Sequence, residues 1–292
     1  MSINRIANIT MRLKIYHQTK YQYGNTVEQN ENELRLTPKT NHQQYVESSF
    51  VYTYPAIKIQ HYDDLNFNRV HRFIIPHQHQ QLTIESRSIV QTEQTINYEK
   101  LPYGFTHDKL KSVWGLEETH TYLQNSTFVD ENPDIWKEAI QIKDQSNDVF
   151  QTTYNIMKFI FENYTYTSGS TTVSTHANEI IQKREGVCQD FAHAMVAFCR
   201  SIKIPARYVS GYFYDSLRNN TLRGAQASHA WVEVFLGEFG WVGLDPTNRK
   251  VVDETYVVLA VGRDYFDVAP VSGNYFGKAG CNLDINVQVE AI

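Results

Sequence analysis

Three side chains in the second half of the sequence have the types and the order that nucleophilic thiol chemistry requires. Cys188 stands in Arg184-Glu185-Gly186-Val187-Cys188-Gln189-Asp190-Phe191-Ala192-His193. There a glycine ends one helix and the cysteine begins the next. A sulfur at a helix start faces unpaired backbone N–H groups and the positive end of the helix dipole, which favour thiolate over thiol. His229 opens the alternating run Ser228-His229-Ala230-Trp231-Val232-Glu233-Val234-Phe235, which puts His229, Trp231, Glu233 and Phe235 on one strand face. A second run, Gly240-Trp241-Val242-Gly243-Leu244-Asp245-Pro246-Thr247-Asn248, ends a strand at Asp245. A thiol nucleophile needs an imidazole to take and return a proton, and the imidazole needs an acceptor to fix its tautomer. Taken alone, a free cysteine is more often a small core residue. Cys199 and Cys281 read that way, and a continuous helix keeps Cys199 roughly 16 Å from Cys188, which excludes a disulfide between them.

These residues must be positioned by strands and helices. Opposed residues of an antiparallel hairpin have a constant sum of residue numbers, and for His229 and Asp245 the midpoint is Gly237. A turn centred there sets the two side chains directly opposite, with Cβ atoms about 5 Å apart. It also places Trp231 across from Gly243, which leaves room for the indole. Centring the turn one residue later slides Asp245 two residues away and is expected to lose the contact. Upstream, a helix follows the Asn132-Pro133 cap with Ile135, Trp136, Ala139 and Ile140 as its apolar stripe. A second runs from near Asn147 to Tyr164, with Phe150, Tyr154, Met157, Ile160 and Phe161 inward. A third passes Ile180 and Ile181 and stops near Gly186, and a fourth runs from Cys188 to before Pro205. Strands follow at 206–214, 229–236, 241–245, 256–261 and 283–289. Helices followed by strands, rather than alternating with them, indicate an α+β domain. Before about Val113 the pattern differs: short alternating runs such as Arg12-Leu13-Lys14-Ile15-Tyr16 and Leu82-Thr83-Ile84, separated by turn clusters, predict a β-sandwich. The division expected is an N-terminal sandwich over 11–113 and a catalytic core over 114–292.

The chain has 292 residues, 41% hydrophobic, enough for one large or two ordinary domains. A net charge of −5 offers no basic surplus to neutralise phosphates, which argues against a nucleic-acid partner. No apolar run approaches the ~20 residues that span a bilayer, and the N-terminus lacks the apolar stretch of a secretion signal. Met11, where strand-like patterning begins, is a candidate start. Three cysteines, an odd and low count, do not suggest a disulfide framework, so the expectation is a reduced cytoplasmic protein.

Four stretches resemble the bacterial transglutaminase-like core in the family's order: Gly186–His193, Ile204-Pro205-Ala206-Arg207-Tyr208-Val209-Ser210-Gly211-Tyr212, His229-Ala230-Trp231-Val232-Glu233 and Asp245-Pro246-Thr247-Asn248. Val261 to Pro270 is similar to the same group, and Leu34-Arg35-Leu36-Thr37-Pro38 resembles the β-rich region that often precedes the core. The resemblance covers about residue 11 to near the end. It implies a papain-like cysteine core, helices packed on an antiparallel sheet, behind the N-terminal sandwich. It implies Cys188 as nucleophile, His229 as base and Asp245 as orienting acid, with no cofactor and a peptide or protein substrate. Acyl transfer from a carboxamide would pass through a thioester at Cys188, with water the expected acceptor and a lysine amine the alternative. A rival from another class is a binding or assembly module with a vestigial triad. An oxyanion needs two donors. The Cys188 backbone N–H is one, and Tyr166, Gln189, Asp190, His193 and Trp231 are candidates for the second or for the surrounding shell. Asp190 and His193, three apart on one helix, read first as capping and packing; Trp231 reads equally as acyl-site wall or core. Arg207, on a buried strand, calls for a structural partner. His71, His77 and His79 form a loose cluster without the spacing of metal ligands.

Overall fold

A computed structural model describes residues 10–94, 100–143, 145–215, 228–278 and 280–292. Met11, the candidate start, is the second residue of the first strand, and residues 1–9 before it lie outside the described residues. Strict alternation in the first ninety residues gives six strands: β1 (Thr10–Val27), β2 (Gln29–Leu34), β3 (Gln44–Tyr54), β4 (Gln60–Asp63), β5 (Arg69–Ile75) and β6 (His79–Glu93). In β1 the odd positions Leu13, Ile15, His17, Thr19 and Tyr23 are buried while Arg12, Lys14 and Lys20 face water, the period-two signature of a strand with one covered face.

The helical segment follows with α1 (Glu117–His120), α2 (Pro133–Lys143), α3 (Val149–Asn163), the short β7 (Thr165–Tyr166), α4 (Ala177–Lys183), β8 (Glu185–Gly186) and α5 (Cys188–Ser201). In α2 only half the expected stripe turns inward: Ile135 and Ala139 are buried, whereas Trp136 and Ile140 are exposed. Helix α4 stops before Gly186, because Arg184 takes the left-handed conformation, φ 53°, that closes it. Helix α5 is buried from Asp190 to Arg200 and forms the axis of the main core.

The remaining elements are β9 (Ala206–Phe213), β10 (His229–Phe235), β11 (Trp241–Asp245), β12 (Lys250–Val251), β13 (Tyr256–Gly262), α6 (Tyr265–Val268), β14 (Val271–Phe276) and β15 (Cys281–Ala291). A five-stranded sheet in the order β12-β11-β10-β9-β13 carries α5 on one face. Two four-stranded sheets, β15-β1-β6-β3 and β14-β2-β5-β4, make the sandwich. The chain therefore crosses the boundary expected at 114: its last two strands return to the sandwich, β15 beside β1 and β14 beside β2. A period-two pattern identifies a strand but not its partner, so composition around 283–289 could not reveal this.

The inner face of the long β1–β6 sheet is used twice. Tyr23, Val27, Leu82 and Ile84 pack on Leu34, Phe73 and Ile75 of the facing sheet. Farther along, Leu13, Ile15 and Val90 pack on Tyr212, Val257 and Leu259 of the five-stranded sheet. Two side-chain amides join the units. Gln44 pairs both its oxygen and its nitrogen with the Val258 backbone at 2.8 Å. Asn68 does the same to Val261 at 2.8 and 2.9 Å. Both occupy backbone groups of edge strand β13 that would otherwise be open to another chain.

Candidate active site

Cys188 is the first residue of α5, and its helix start is shaped by its neighbours. Asp190, third in the helix, folds back so that Oδ2 accepts from the Val187 N–H at 2.7 Å and from the Thr171 hydroxyl at 2.6 Å. This satisfies one of the helix's orphan donors. A Cβ on Gly186 would lie 2.4 Å from that same Asp190 oxygen, so the turn into Cys188 requires glycine. Burial raises the Asp190 carboxyl, opposed by those hydrogen bonds. Asp190 and His193 do not pair. His193 is buried and accepts at Nε2 from the Tyr265 N–H, 3.1 Å, and burial first, then Arg200 and His176, pulls its imidazole down to about 3. It is neutral at any physiological pH.

His229 and Asp245 meet, both side chains fully buried, with Nε2 to Oδ2 at 2.8 Å. The hairpin register is not the one expected. Val232 opposes Leu244 and Phe235 opposes Trp241, so the turn is centred on Glu238 and its loop is Gly237–Phe239. Glycines flank this loop rather than centre it: Gly237 at φ 60° and Gly240 at φ 66° reverse the chain. Continued by one residue, the register sets Asp245 beside Trp231 and diagonal to His229. Diagonal pairs stand ~7–8 Å apart at the backbone, and an imidazole pointing its far nitrogen at the carboxylate spans that gap. The expected loss of contact in this register is thus incorrect. Room for Trp231 comes from Gly211 of β9, where a Cβ would meet the indole at 2.5 Å; Gly243 instead makes room for Val252.

Asp245 accepts more than the imidazole. Oδ2 also takes the Tyr256 hydroxyl at 2.8 Å and Asn248 Nδ2 at 3.0 Å, while Oδ1 takes the Thr247 and Asn248 backbone N–H groups at 2.8 and 3.3 Å. Burial opposes its charge, but His229, Asn248 and Tyr256 outweigh it and hold the carboxyl below its ordinary range. For His229, burial likewise opposes charge, and Asp245, joined by Cys188, overrides it and raises the imidazole. With Nε2 on Asp245, Nδ1 is the nitrogen left for the thiol, and it has no hydrogen-bond partner among the described residues.

The remaining candidates sort by contact. Tyr166 lies on β7 directly beside Gly186 of β8, its ring edge-on to Phe191 at 6.1 Å. Gln189 donates its amide to the Val173 carbonyl at 3.2 Å. Trp231 is core: fully buried with Val209, Phe213, Val258 and Tyr256. Arg207 has its partner, Glu233, at 2.6 Å, and lies over the Trp241 ring at 4.2 Å. His71 adjoins His61, while His77 and His79 adjoin each other. Sequence reasoning missed Tyr256, Asn248 and two tyrosines that interact with Cys188, Tyr208 and Tyr265. Asn248 had a local signal, the Asp-Pro-Thr-Asn turn. Tyr208 and Tyr265 lay within the family-like stretches at 204–212 and 261–270, but nothing in the pattern marked their hydroxyls, and Tyr256 had no signal at all.

Comparison with known proteins agrees with this architecture. The profile of the transglutaminase-like superfamily matches residues 138–246, and that of the bacterial transglutaminase-like N-terminal region matches 13–91. An uncharacterised protein of Mycobacterium leprae is 32% identical over 281 residues, covering 95% of this chain and 98% of that one. A protein-glutamine gamma-glutamyltransferase of Pseudomonas aeruginosa is 34% identical over 100 residues, 32% of this chain and 15% of that one. Among solved structures, a Cytophaga hutchinsonii protein proposed to be a cysteine protease superposes with a TM-score of 0.79 at 24% identity, over 97% of this chain and 91% of its own.

Proposed function

Since the chain belongs to the transglutaminase-like superfamily, we propose that it is a thiol-dependent hydrolase that cleaves a peptide or glutamine-type carboxamide through a thioester at Cys188. The observation that carries this reading is the buried His229–Asp245 pair whose free Nδ1 is left to a cysteine at a helix start. The Cys188 sulfur forms a bond to the carbonyl carbon as the C=O pair moves onto oxygen. The pair then returns, the C–N bond breaks, and the His229 imidazolium gives its proton to the departing amine. Water next loses a proton to His229 as it attacks the thioester, and the acid leaves as Cys188 regains its charge. Asp245 keeps the imidazole oriented throughout without taking the proton.

Water is favoured as acceptor because capture of a lysine ammonium calls for an open carboxylate near the thiol. Asp190, two residues from Cys188, and Asp264 are each 1% exposed. Both also accept backbone N–H groups: Val187 on Asp190, Phe128 and Phe266 on Asp264. Transamidation is the second reading, supported by the local similarity to the glutamyltransferase. The test is a glutamine-peptide library with and without a primary amine, read by mass on Cys188 and by product. Cys188→Ala is expected to abolish turnover with its melting curve preserved. Near-wild-type activity in that variant would refute the thiol mechanism, and amine incorporation exceeding hydrolysis would assign transamidation.

A further inference from the structure

A tetrahedral adduct on Cys188 places a full charge on the former carbonyl oxygen, and two preset donors are needed to hold it. The Cys188 N–H, at the start of α5, has no intrahelical partner and supplies one. The other must be a protonated group that reaches the thiol and is not already spent. Trp231 has a buried N–H without a partner, but its ring is packed into Gly211 and the cluster around Tyr256. Gln189 gives its amide to Val173.

Tyr208 fits. It lies on β9 opposite Val232 of β10, under the first turns of α5, with its ring 5.1 Å from that of His193 and 6.4 Å from that of Tyr265. Its side chain is 1% exposed, yet its hydroxyl makes no hydrogen bond to a described residue. A buried phenol ordinarily has such a bond. Apart from burial itself, the group that acts most strongly on it is Cys188. We propose that the Tyr208 hydroxyl is the second oxyanion donor, completing with the Cys188 N–H the site that receives the carbonyl oxygen of the acyl donor. This rests on Cys188 being the nucleophile. The hydroxyl donates a hydrogen bond as the C=O pair moves onto oxygen and loses it when the pair returns; the proton stays on Tyr208. Burial, which holds the phenol well above its ordinary value of 10, keeps that proton in place.

The experiment compares two reactions of the same thiol in the full chain. Acylation by p-nitrophenyl acetate, followed by p-nitrophenolate release and an acetyl mass on Cys188, passes through an oxyanion. Alkylation by iodoacetamide, a displacement at saturated carbon, does not. Tyr208→Phe is expected to slow acylation by about 10²-fold or more while alkylation stays within about threefold of wild type. Tyr208→Met serves if the phenylalanine variant fails to fold. Acylation within about threefold of wild type in Tyr208→Phe overturns the assignment. So does a parallel fall in both reactions, which would make Tyr208 a positioning residue for the thiol. A wild-type protein that gains no acetyl mass on Cys188 overturns the thiol reading itself.

Discussion

Replacing Asp245 by asparagine probes the buried pair most directly, because no orientation of an amide suits the site. Oδ2 faces three donors, His229 Nε2, Tyr256 OH and Asn248 Nδ2, and Oδ1 faces two backbone N–H groups. An asparagine must therefore turn its NH2 toward donors on one side or the other, leaving at least one buried donor unpaired at about 1–3 kcal/mol. The larger effect is on His229, whose imidazole rises from 6.5 to about 10 in the folded protein. At 1.36 kcal/mol per tenfold, that rise is worth about 5 kcal/mol. It agrees with the ~3–5 kcal/mol typical of breaking a buried ion pair from one side. The sign follows from linkage: a group raised on folding stabilises fully below its unfolded value and loses that stabilisation as pH climbs through its folded value. Asp245, held low, stabilises above its unfolded value and loses this as pH falls through its folded one. The wild-type advantage over Asp245→Asn should therefore be greatest from about pH 5 to 6.5, decline toward pH 10, and shrink again in strong acid. Urea unfolding at pH 6, 8 and 10.5 measures it, with turnover expected to fall by about 10²–10⁴-fold at neutral pH. A stability difference that stays constant from pH 6 to 10.5 would refute the charged pair.

Other outcomes follow from the same contacts. Iodoacetamide should label Cys188 well before Cys199, which is fully buried and whose thiol burial pushes up to about 12, and before Cys281, also raised by burial; peptide mapping after a short pulse reads the order, and equal labelling would count against an imidazolium beside Cys188. Tyr256→Phe removes one of five hydrogen bonds on Asp245, and a loss of about 1–2 kcal/mol in stability with at most a tenfold fall in kcat is expected from unfolding and steady-state assays. Gly211→Ala should be far more damaging than its size suggests, since the added carbon would lie 2.1 Å from the Val257 carbonyl oxygen; a melting temperature within a few degrees of wild type would show that β9 and β13 can part.

Chemistry-bearing residues that announce themselves by local context were legible in the sequence. Cys188 follows a glycine-marked helix boundary, His229 begins an alternating strand, and Asp245 precedes a proline turn; the structure brings His229 and Asp245 together and leaves His229 Nδ1 unpaired among the described residues. What escaped depended on relations between distant segments. Hairpin register turned on which backbone positions the two glycines needed, and counting to a midpoint could not tell a central glycine from a flanking one. Tyr256 and Tyr265 reach the site from the starts of β13 and of the short helix α6, with no pattern that marks their hydroxyls, and Tyr208 looked like any strand aromatic. The outward turn of Trp136 and Ile140 reflects a helix that covers α5 along only two of its four apolar positions.

Pairing of β15 with β1 sets Leu13 against Ala291, nearly the full length of the described chain apart. During synthesis β1 emerges with no partner on that edge, and it stays so until the helices and the five-stranded sheet have been made. Closure of the sandwich therefore waits on a strand about 270 residues downstream of β1, and such long-range pairing is intrinsically slow. A chain interrupted after α6 would carry Cys188, His229, Asp245 and the whole of α5, yet leave β1 and β2 each with a bare edge able to recruit a neighbour. Nonsense changes near residue 270 should therefore yield aggregates rather than a smaller working enzyme.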